Sequence, residues 1–101
     1  MEVRRKIKIE ILGDHITCEQ DFHVQLAQAL DVQRFYGHNL DALWDLLSAS
    51  VERPMKLVWT NSAMSKAVLG DIFEKIVSVL ERVRLQDERY GWEDKFTYDL
   101  D

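Results

Sequence analysis

A short apolar run in the middle of the chain constrains the fold more than any other feature of the sequence. Residues Met55–Trp59 follow the only proline, Pro54, and four of the five are apolar, which is typical of a central strand. Two helical patterns precede this run and two follow it, so each connection is long enough to join parallel strands. The run therefore predicts that Met55–Thr60 is the middle strand of a parallel sheet.

Two further strands are predicted, one near each end of the chain, because apolar and polar residues alternate there. In Val3–Leu12 the apolar side consists of isoleucines and the other side is charged: Ile7, Ile9 and Ile11 against Lys6, Lys8 and Glu10. The last strand alternates in the same way, with Phe96, Tyr98 and Leu100 on its apolar side. Right-handed crossovers then place all helices on one face of the sheet. The prediction is an α/β fold in two layers, formed by one domain that spans residues 1–101.

Four helices are predicted between these strands. The first starts at a capping box, with Thr17 as the N-cap and Gln20 three residues later, and faces inward with Phe22, Leu26, Ala29 and Leu30. The second covers about Asn39–Ser50. The third is capped by Asn61 or Ser62 and ends at Gly70. The fourth starts with a cap formed by Asp71 and Glu74, has Ile72, Ile76, Leu80 and Val83 on its inner side, and gives way to a polar loop over residues 87–91.

The most unusual stretch is Phe35–Asp45, which starts as a loop and becomes the second helix. Gly37 suits a turn that needs an uncommon backbone angle, and Asn39 suits an N-cap. The helix points its leucines inward and its aspartates outward: Leu40, Leu43 and Leu47 against Asp41 and Asp45, with Trp44 and Ser48 at the border. No lysine or arginine occurs from Phe35 to Glu52, so this face suits a cationic partner. The alternative is a solvated helix with a core tryptophan.

Composition limits the classes of function. The chain has 101 residues and a net charge of −5, which argues against direct binding of nucleic acid and favours basic proteins as partners. Its one cysteine, Cys18, excludes an internal disulfide bond and fits a cytoplasmic location. No apolar run approaches the length of a membrane span. Charged residues interrupt the N-terminus where a signal peptide would need an apolar core.

Catalytic and metal sites are the less favoured interpretations. An acid–base pair of Asp41 and Asp45 would need a cleft, whereas a helix face is convex. The spacing of His15, Cys18 and His23 matches no zinc motif, so neither a metal nor another cofactor is expected.

The motif Tyr36-Gly37, followed by Asn39-Leu-Asp-Ala-Leu-Trp-Asp45, resembles that of the barstar family of ribonuclease inhibitors. The resemblance extends over nearly the whole chain, through Gly13, Ile16, Pro54, Leu57, Trp59, Ser65 and Lys66. It implies the barstar-like fold. It also implies that Asp41 and Asp45 enter the active site of a ribonuclease and occupy the positions of RNA phosphates.

The resemblance further implies a protein inhibitor rather than an enzyme. The expected partner is a basic extracellular-type or toxin ribonuclease, held in a 1:1 complex in the cytoplasm, and the free inhibitor is expected to be a monomer. The residues expected to contact the ribonuclease are Phe35, Tyr36, Gly37, His38, Asn39, Asp41, Trp44, Asp45 and Ser48.

Some positions depart from the family pattern. Phe35 replaces a tyrosine used at the family interface, and it either contacts the partner or packs at the edge of the core. Arg82 stands where the prototype has a glutamate that faces the nuclease. Ala49 and Ser50 stand where the prototype has glycine and a second tryptophan. These differences keep open a second hypothesis, a barstar-like binding module whose partner is not a nuclease.

Overall fold

The computed structural model describes residues 7–101. The strands are β1 (Ile7–Leu12), β2 (Met55–Thr60) and β3 (Phe96–Leu100), and the helices are α1 (Glu19–Leu30), α2 (Leu40–Asp45), α3 (Ser62–Leu69) and α4 (Asp71–Arg89). A 3-10 turn, Gly13–His15, follows β1, and a π-helical turn, Leu46–Ser50, continues α2. The predicted first residues of β1, 3–6, lie outside the described range.

The sheet has the predicted topology. Its strand order is β1-β2-β3, and both pairings are parallel. Ile9 lies beside Leu57, which lies beside Tyr98, so the apolar positions of the three strands form rows across the sheet. The prediction of an α/β fold with Met55–Thr60 as the central strand is confirmed.

The two faces of the sheet differ sharply. The helices cover the face that carries Ile9, Ile11, Leu57 and Trp59, all of which are buried. On the other face the charged residues Lys8, Glu10, Lys56 and Asp99 are exposed. Lys56 Nζ lies 2.9 Å from Asp99 Oδ2, across the β2–β3 pair.

Trp59 is the centre of the core. Its ring stacks on Phe22 from α1 at 4.9 Å and meets Phe73 from α4 at 5.0 Å, measured between ring centroids. Its Nε1–H donates to Ser65 Oγ at 2.9 Å, and the Ser65 hydroxyl donates to the carbonyl of Gly13 at 3.0 Å. One polar chain thus joins β2, α3 and the end of β1.

Helix α1 is attached to the outer edge of β1. The side-chain amide of Gln25 accepts from the backbone N–H of Leu12 at 2.7 Å and donates to the carbonyl of the same residue at 3.1 Å. Both polar backbone groups of Leu12 are therefore satisfied by a side chain instead of a further strand.

The predicted capping box of α1 is wrong. Cys18 occupies the N-cap position, and its side chain makes no capping hydrogen bond. Thr17 instead donates its backbone N–H and its hydroxyl to Asp21 Oδ2, at 2.8 and 2.7 Å. Gln20 is used elsewhere, because its amide donates to the carbonyl of His38 at 3.2 Å and so ties α1 to the loop before α2.

The predicted inner side of α1 is also partly wrong. Ala29 is exposed, whereas Ala27 and His23 are fully buried. The reason is the chain after α1, which turns back over the Ala27 side: the N–H of Val32 donates to the carbonyl of Ala27 at 2.9 Å.

Helix α4 departs from its prediction at both ends. Its N-cap is Gly70, without a side-chain capping bond, and Asp71 is the first residue of the helix. A carboxylate in this first turn is still favoured by the helix dipole. At the other end α4 continues to Arg89, so most of the predicted polar loop at residues 87–91 is helical.

The part of α4 that was predicted to be a loop contains a buried ion pair. Asp87 is fully buried, and its two carboxylate oxygens accept from Arg53 Nε at 2.6 Å and Arg53 Nη2 at 3.2 Å. Asp87 Oδ2 also accepts from the N–H of Phe96 at 2.7 Å. Arg53 donates further to the carbonyls of Val51 and Leu47, at 2.8 and 2.7 Å. This cluster joins the end of the π-helical turn, α4 and the start of β3.

Candidate protein-binding surface on helix α2

Tyr36 anchors the loop that precedes α2. Its side chain is only 6% exposed, and its hydroxyl lies 2.6 Å from Nδ1 of the buried His23. The other ring nitrogen of His23, Nε2, lies 2.8 Å from Glu19 Oε2. Tyr36 is among the residues predicted to contact the ribonuclease, and in the structure its side chain fixes the exposed loop residues to α1.

The protonation states in this chain of groups follow from burial. Desolvation lowers the pKa of His23, against the opposite effect of the Glu19 carboxylate, and it raises the pKa of Tyr36. The neutral imidazole therefore accepts a hydrogen bond from the Tyr36 hydroxyl at Nδ1, and it donates its Nε2–H to Glu19. This tautomer satisfies every polar atom of the buried ring.

Acid should destabilise the fold through His23. Because folding lowers its pKa below the ordinary value of about 6.5, the unfolded chain binds more protons as the pH falls through that value. The contribution of neutral His23 to the free energy of unfolding is thus complete above pH ~6.5 and is lost below it. The free energy of unfolding then falls by at most ~1.4 kcal/mol per pH unit. Urea unfolding at pH 7.5, 6.5 and 5.5 measures this slope, and His23→Gln should reduce it. Equal slopes in the two proteins would contradict the assignment.

The loop exposes an aromatic ring. Phe35 is 74% exposed, so of its two predicted roles, packing at the edge of the core is wrong. The uncommon backbone angle predicted for Gly37 occurs instead at His38, with φ of 55°. At Gly37 a Cβ would make a tight contact, 3.1 Å from the Cβ of Ala42. Asn39 is the predicted N-cap, and its Oδ1 accepts from the N–H of Ala42 at 2.8 Å.

Helix α2 presents its two carboxylates to solvent. Asp41 and Asp45 are both exposed, and within residues 7–101 neither of them forms an ion pair or a side-chain hydrogen bond. Leu43 and Leu47 are fully buried beneath them, as predicted. Ser48 is half-buried at the end of this face, where its carbonyl accepts from the side chain of Gln86 at 3.3 Å. The leucine side therefore holds the helix while the aspartate side is free to bind.

Two shallow depressions flank the aspartates. One has a volume of about 170 Å³ and lies between Phe35 and Asp45, above Gly37 and Leu46. The other, of about 380 Å³, lies between α2 and α4 and has Asp41, Trp44 and Arg82 among its walls. Asp41 and Asp45 thus border different depressions, an arrangement that suits contact with another protein better than acid–base catalysis on a small substrate.

Trp44 is half-buried and has a cationic neighbour. The guanidinium carbon of Arg82 lies 4.5 Å from the centroid of the Trp44 ring, within the range of a cation–π interaction. The sequence identified both residues but not their contact, because nothing in the local pattern relates two positions 38 residues apart. The candidate surface is therefore acidic on α2 and basic where α4 adjoins it.

No metal site emerges among the described residues, where no three His, Cys, Asp or Glu side chains form a group that could hold an ion. Cys18 is exposed, whereas His23 is buried against Tyr36, so two of the three side chains considered from the sequence point to different environments. Within the same range, no helix is long and apolar enough to cross a membrane.

Comparison with known proteins identifies a family and a relative. The family model described as "Barstar (barnase inhibitor)" matches residues 7–99. A Bacillus subtilis (strain 168) protein named "Putative ribonuclease inhibitor YrdF" is 36% identical over 83 residues, which cover 80% of this chain and 91% of that protein.

Proposed function

We propose that this chain, which belongs to the barstar family, inhibits a ribonuclease by covering the enzyme's RNA-binding active site. The observation that carries the proposal is the pair of exposed carboxylates, Asp41 and Asp45, which have no cationic partner within the described residues. The similarity to a protein named as a ribonuclease inhibitor supports the same function.

The proposed mechanism is occlusion. The two carboxylates take the positions of RNA phosphates and pair with the lysines, arginines and catalytic histidine of the enzyme. Water leaves as the surfaces meet, and the lower local dielectric strengthens each ion pair. Both aspartates are already held on a helix whose leucines are buried, so little conformational entropy is lost on binding.

The loop before α2 completes the proposed contact surface. Phe35 supplies an exposed aromatic ring beside Asp45, and aromatic residues of this kind often anchor protein interfaces. His38 and Asn39 lie between Phe35 and the helix, and Trp44 and Ser48 border its acidic side. Tyr36 fixes this loop through its bond to His23, and Gly37 lines the depression between Phe35 and Asp45.

The proposed partner is a basic extracellular-type or toxin ribonuclease, bound 1:1 in the cytoplasm by an inhibitor that is a monomer when free and has no catalytic activity of its own. Such an inhibitor acts as an immunity protein, protecting the cell that makes the nuclease. The net charge of −5 should accelerate association with a basic enzyme, and added salt should slow it.

Replacing Asp45 with alanine should weaken ribonuclease binding at least ~30-fold, which corresponds to the ~2 kcal/mol that defines an interface hot spot. The fold should survive, because Asp45 is exposed and alanine favours a helix. The experiment measures RNA cleavage by the nuclease at increasing inhibitor concentration, with circular dichroism as the test of folding.

Glu10→Ala is the matched control, since it removes one exposed carboxylate from the opposite face of the sheet. Its inhibition constant should change less than twofold. Equal inhibition by Asp45→Ala and the unmodified protein would refute the proposed site. A partner that binds through Asp45 but cleaves no RNA would favour the second hypothesis, a barstar-like module for another protein.

A further inference from the structure

A row of cations runs along α4 beside the acidic face of α2. Lys75, Arg82 and Arg89 are seven residues apart, a spacing that places them on one side of a helix. All three are exposed, and none of them forms an ion pair within residues 7–101. Arg84 shows the contrast, because Glu81 and Glu88 bind it at 2.6 and 2.9 Å. We call Lys75, Arg82 and Arg89 the basic row.

The basic row is continuous with the proposed binding surface. Asp41, Trp44, Lys75 and Arg82 line the same depression of about 380 Å³. A second depression, of about 330 Å³, extends from Trp44 and Arg82 to Arg89 and Tyr90. Trp44 borders both, so a protein that covers Asp41 and Trp44 also covers the outer side of Arg82.

This geometry restricts which group of the partner can lie against Arg82. The Arg82 guanidinium is held over the Trp44 ring, which leaves its N–H groups without a charged acceptor. Removing water from an unpaired guanidinium is costly, so tight binding requires the partner to supply an acceptor there. A carboxylate is the best match, because it can accept two parallel N–H bonds from arginine.

We propose that the cognate ribonuclease carries acidic side chains on the rim of its basic cleft, facing the basic row, with Arg82 as the main determinant of partner choice. This inference rests on the proposed function. It assigns the surface two halves of opposite charge: Asp41 and Asp45 enter the cleft, while the basic row pairs with the rim. A nuclease with a cationic rim is rejected by repulsion at Arg82.

RNA fits the observations less well, because it would place phosphates beside Asp41, on a chain whose net charge is −5. In a dimer of this chain, the acidic face of each copy would meet the basic row of the other. Sedimentation velocity distinguishes that dimer from the nuclease complex.

The test uses two groups of barnase-type ribonucleases, all with a basic cleft. One group carries Asp or Glu on the rim opposite α4, and the other carries Lys or Arg there. Dissociation constants are measured for the unmodified inhibitor, Arg82→Gln and Arg82→Glu. The unmodified protein should bind the acidic-rim enzymes at least tenfold more tightly than the others. Arg82→Gln should reduce this preference and Arg82→Glu should reverse it. Lys8→Glu is the control, because it changes the charge equally on the open face of the sheet.

The outcomes separate this inference from the proposed function. Binding that depends on Asp45 but shows the same rim preference in all Arg82 variants would overturn the inference alone. A lack of binding to every nuclease would overturn both. Binding of a short single-stranded RNA that Arg82→Glu abolishes, or a dimer in sedimentation velocity that Arg82→Glu abolishes, would assign the basic row to another occupant and so overturn the inference.

Discussion

Asp87→Ala should lower the free energy of unfolding by about 3–5 kcal/mol, the loss typical of a buried ion pair that keeps one charge. The variant leaves the Arg53 guanidinium, whose side chain is only 10% exposed, without its carboxylate. It also leaves the N–H of Phe96 without the acceptor that now lies at 2.7 Å. The free energy of unfolding of a domain of this size is about 5–15 kcal/mol in total. Urea unfolding at pH 7 should therefore show a transition at a much lower urea concentration.

Glu88→Ala is the matched control, because it removes the neighbouring carboxylate on the same helix. Glu88 is exposed and pairs only at the surface, with Arg84, so its loss should cost less than about 1 kcal/mol. Asp87→Asn should be milder than Asp87→Ala, since one oxygen remains as an acceptor for Phe96. Equal stability of Asp87→Ala and Glu88→Ala would show that the buried cluster contributes no more than a surface pair.

Gly13→Ala should lower the free energy of unfolding by about 3 kcal/mol or more, which is at the upper end of the usual effect of overpacking. A Cβ at this position would lie 2.3 Å from the carbonyl oxygen of Thr60 and 2.4 Å from that of Asn61. Both are backbone atoms, so they can retreat only if β1 and β2 separate where they end. That movement would also stretch the bond from Ser65 to the Gly13 carbonyl, which anchors Trp59.

The comparison for Gly13→Ala is Gly91→Ala. Within residues 7–101, no atom outside the neighbouring residues lies within 4 Å of a Cβ at Gly91, but the backbone has a φ of 68°. Its substitution should therefore cost only the ~1–2 kcal/mol of a left-handed conformation in a residue with a side chain. Thermal or urea unfolding of both variants compares the two effects, and an equal loss would exclude the steric explanation for Gly13.

The sheet could be predicted from the sequence because its evidence is local. The alternation of Ile7, Ile9 and Ile11, and the apolar run Met55–Trp59, are set by which faces are covered. The N-cap at Asn39 was also predictable, since the bond to Ala42 spans only three residues. These features depend on short-range geometry that composition and spacing express directly.

Several features were missed for a different reason, which is a partner that is distant in sequence. Asp87 lies among polar residues and was assigned to a loop, but its partner Arg53 is 34 residues away. His23 was considered as a metal ligand, yet its role depends on Tyr36, 13 residues later. Gln20 was assigned to a cap and instead bonds to the carbonyl of His38. A local pattern cannot identify such pairs.

The candidate site divides in the same way. The exposure of Asp41 and Asp45 follows from helix periodicity, so the acidic face was predictable. The cation beside it was not, because Arg82 reaches Trp44 only when α2 and α4 pack together. The resemblance to the family identified Arg82 as a departure, but only the packing places it within the surface that a partner would cover.

The contact between Gln25 and Leu12 has a consequence for the behaviour of the protein at high concentration. An outer strand with free N–H and C=O groups can pair with the edge of another molecule, which is a common start of aggregation. At Leu12 both groups already bind the Gln25 amide, which imitates the peptide group of a neighbouring strand. Helix α1 thus occupies the end of β1 where an incoming strand would otherwise extend the sheet from one molecule to the next.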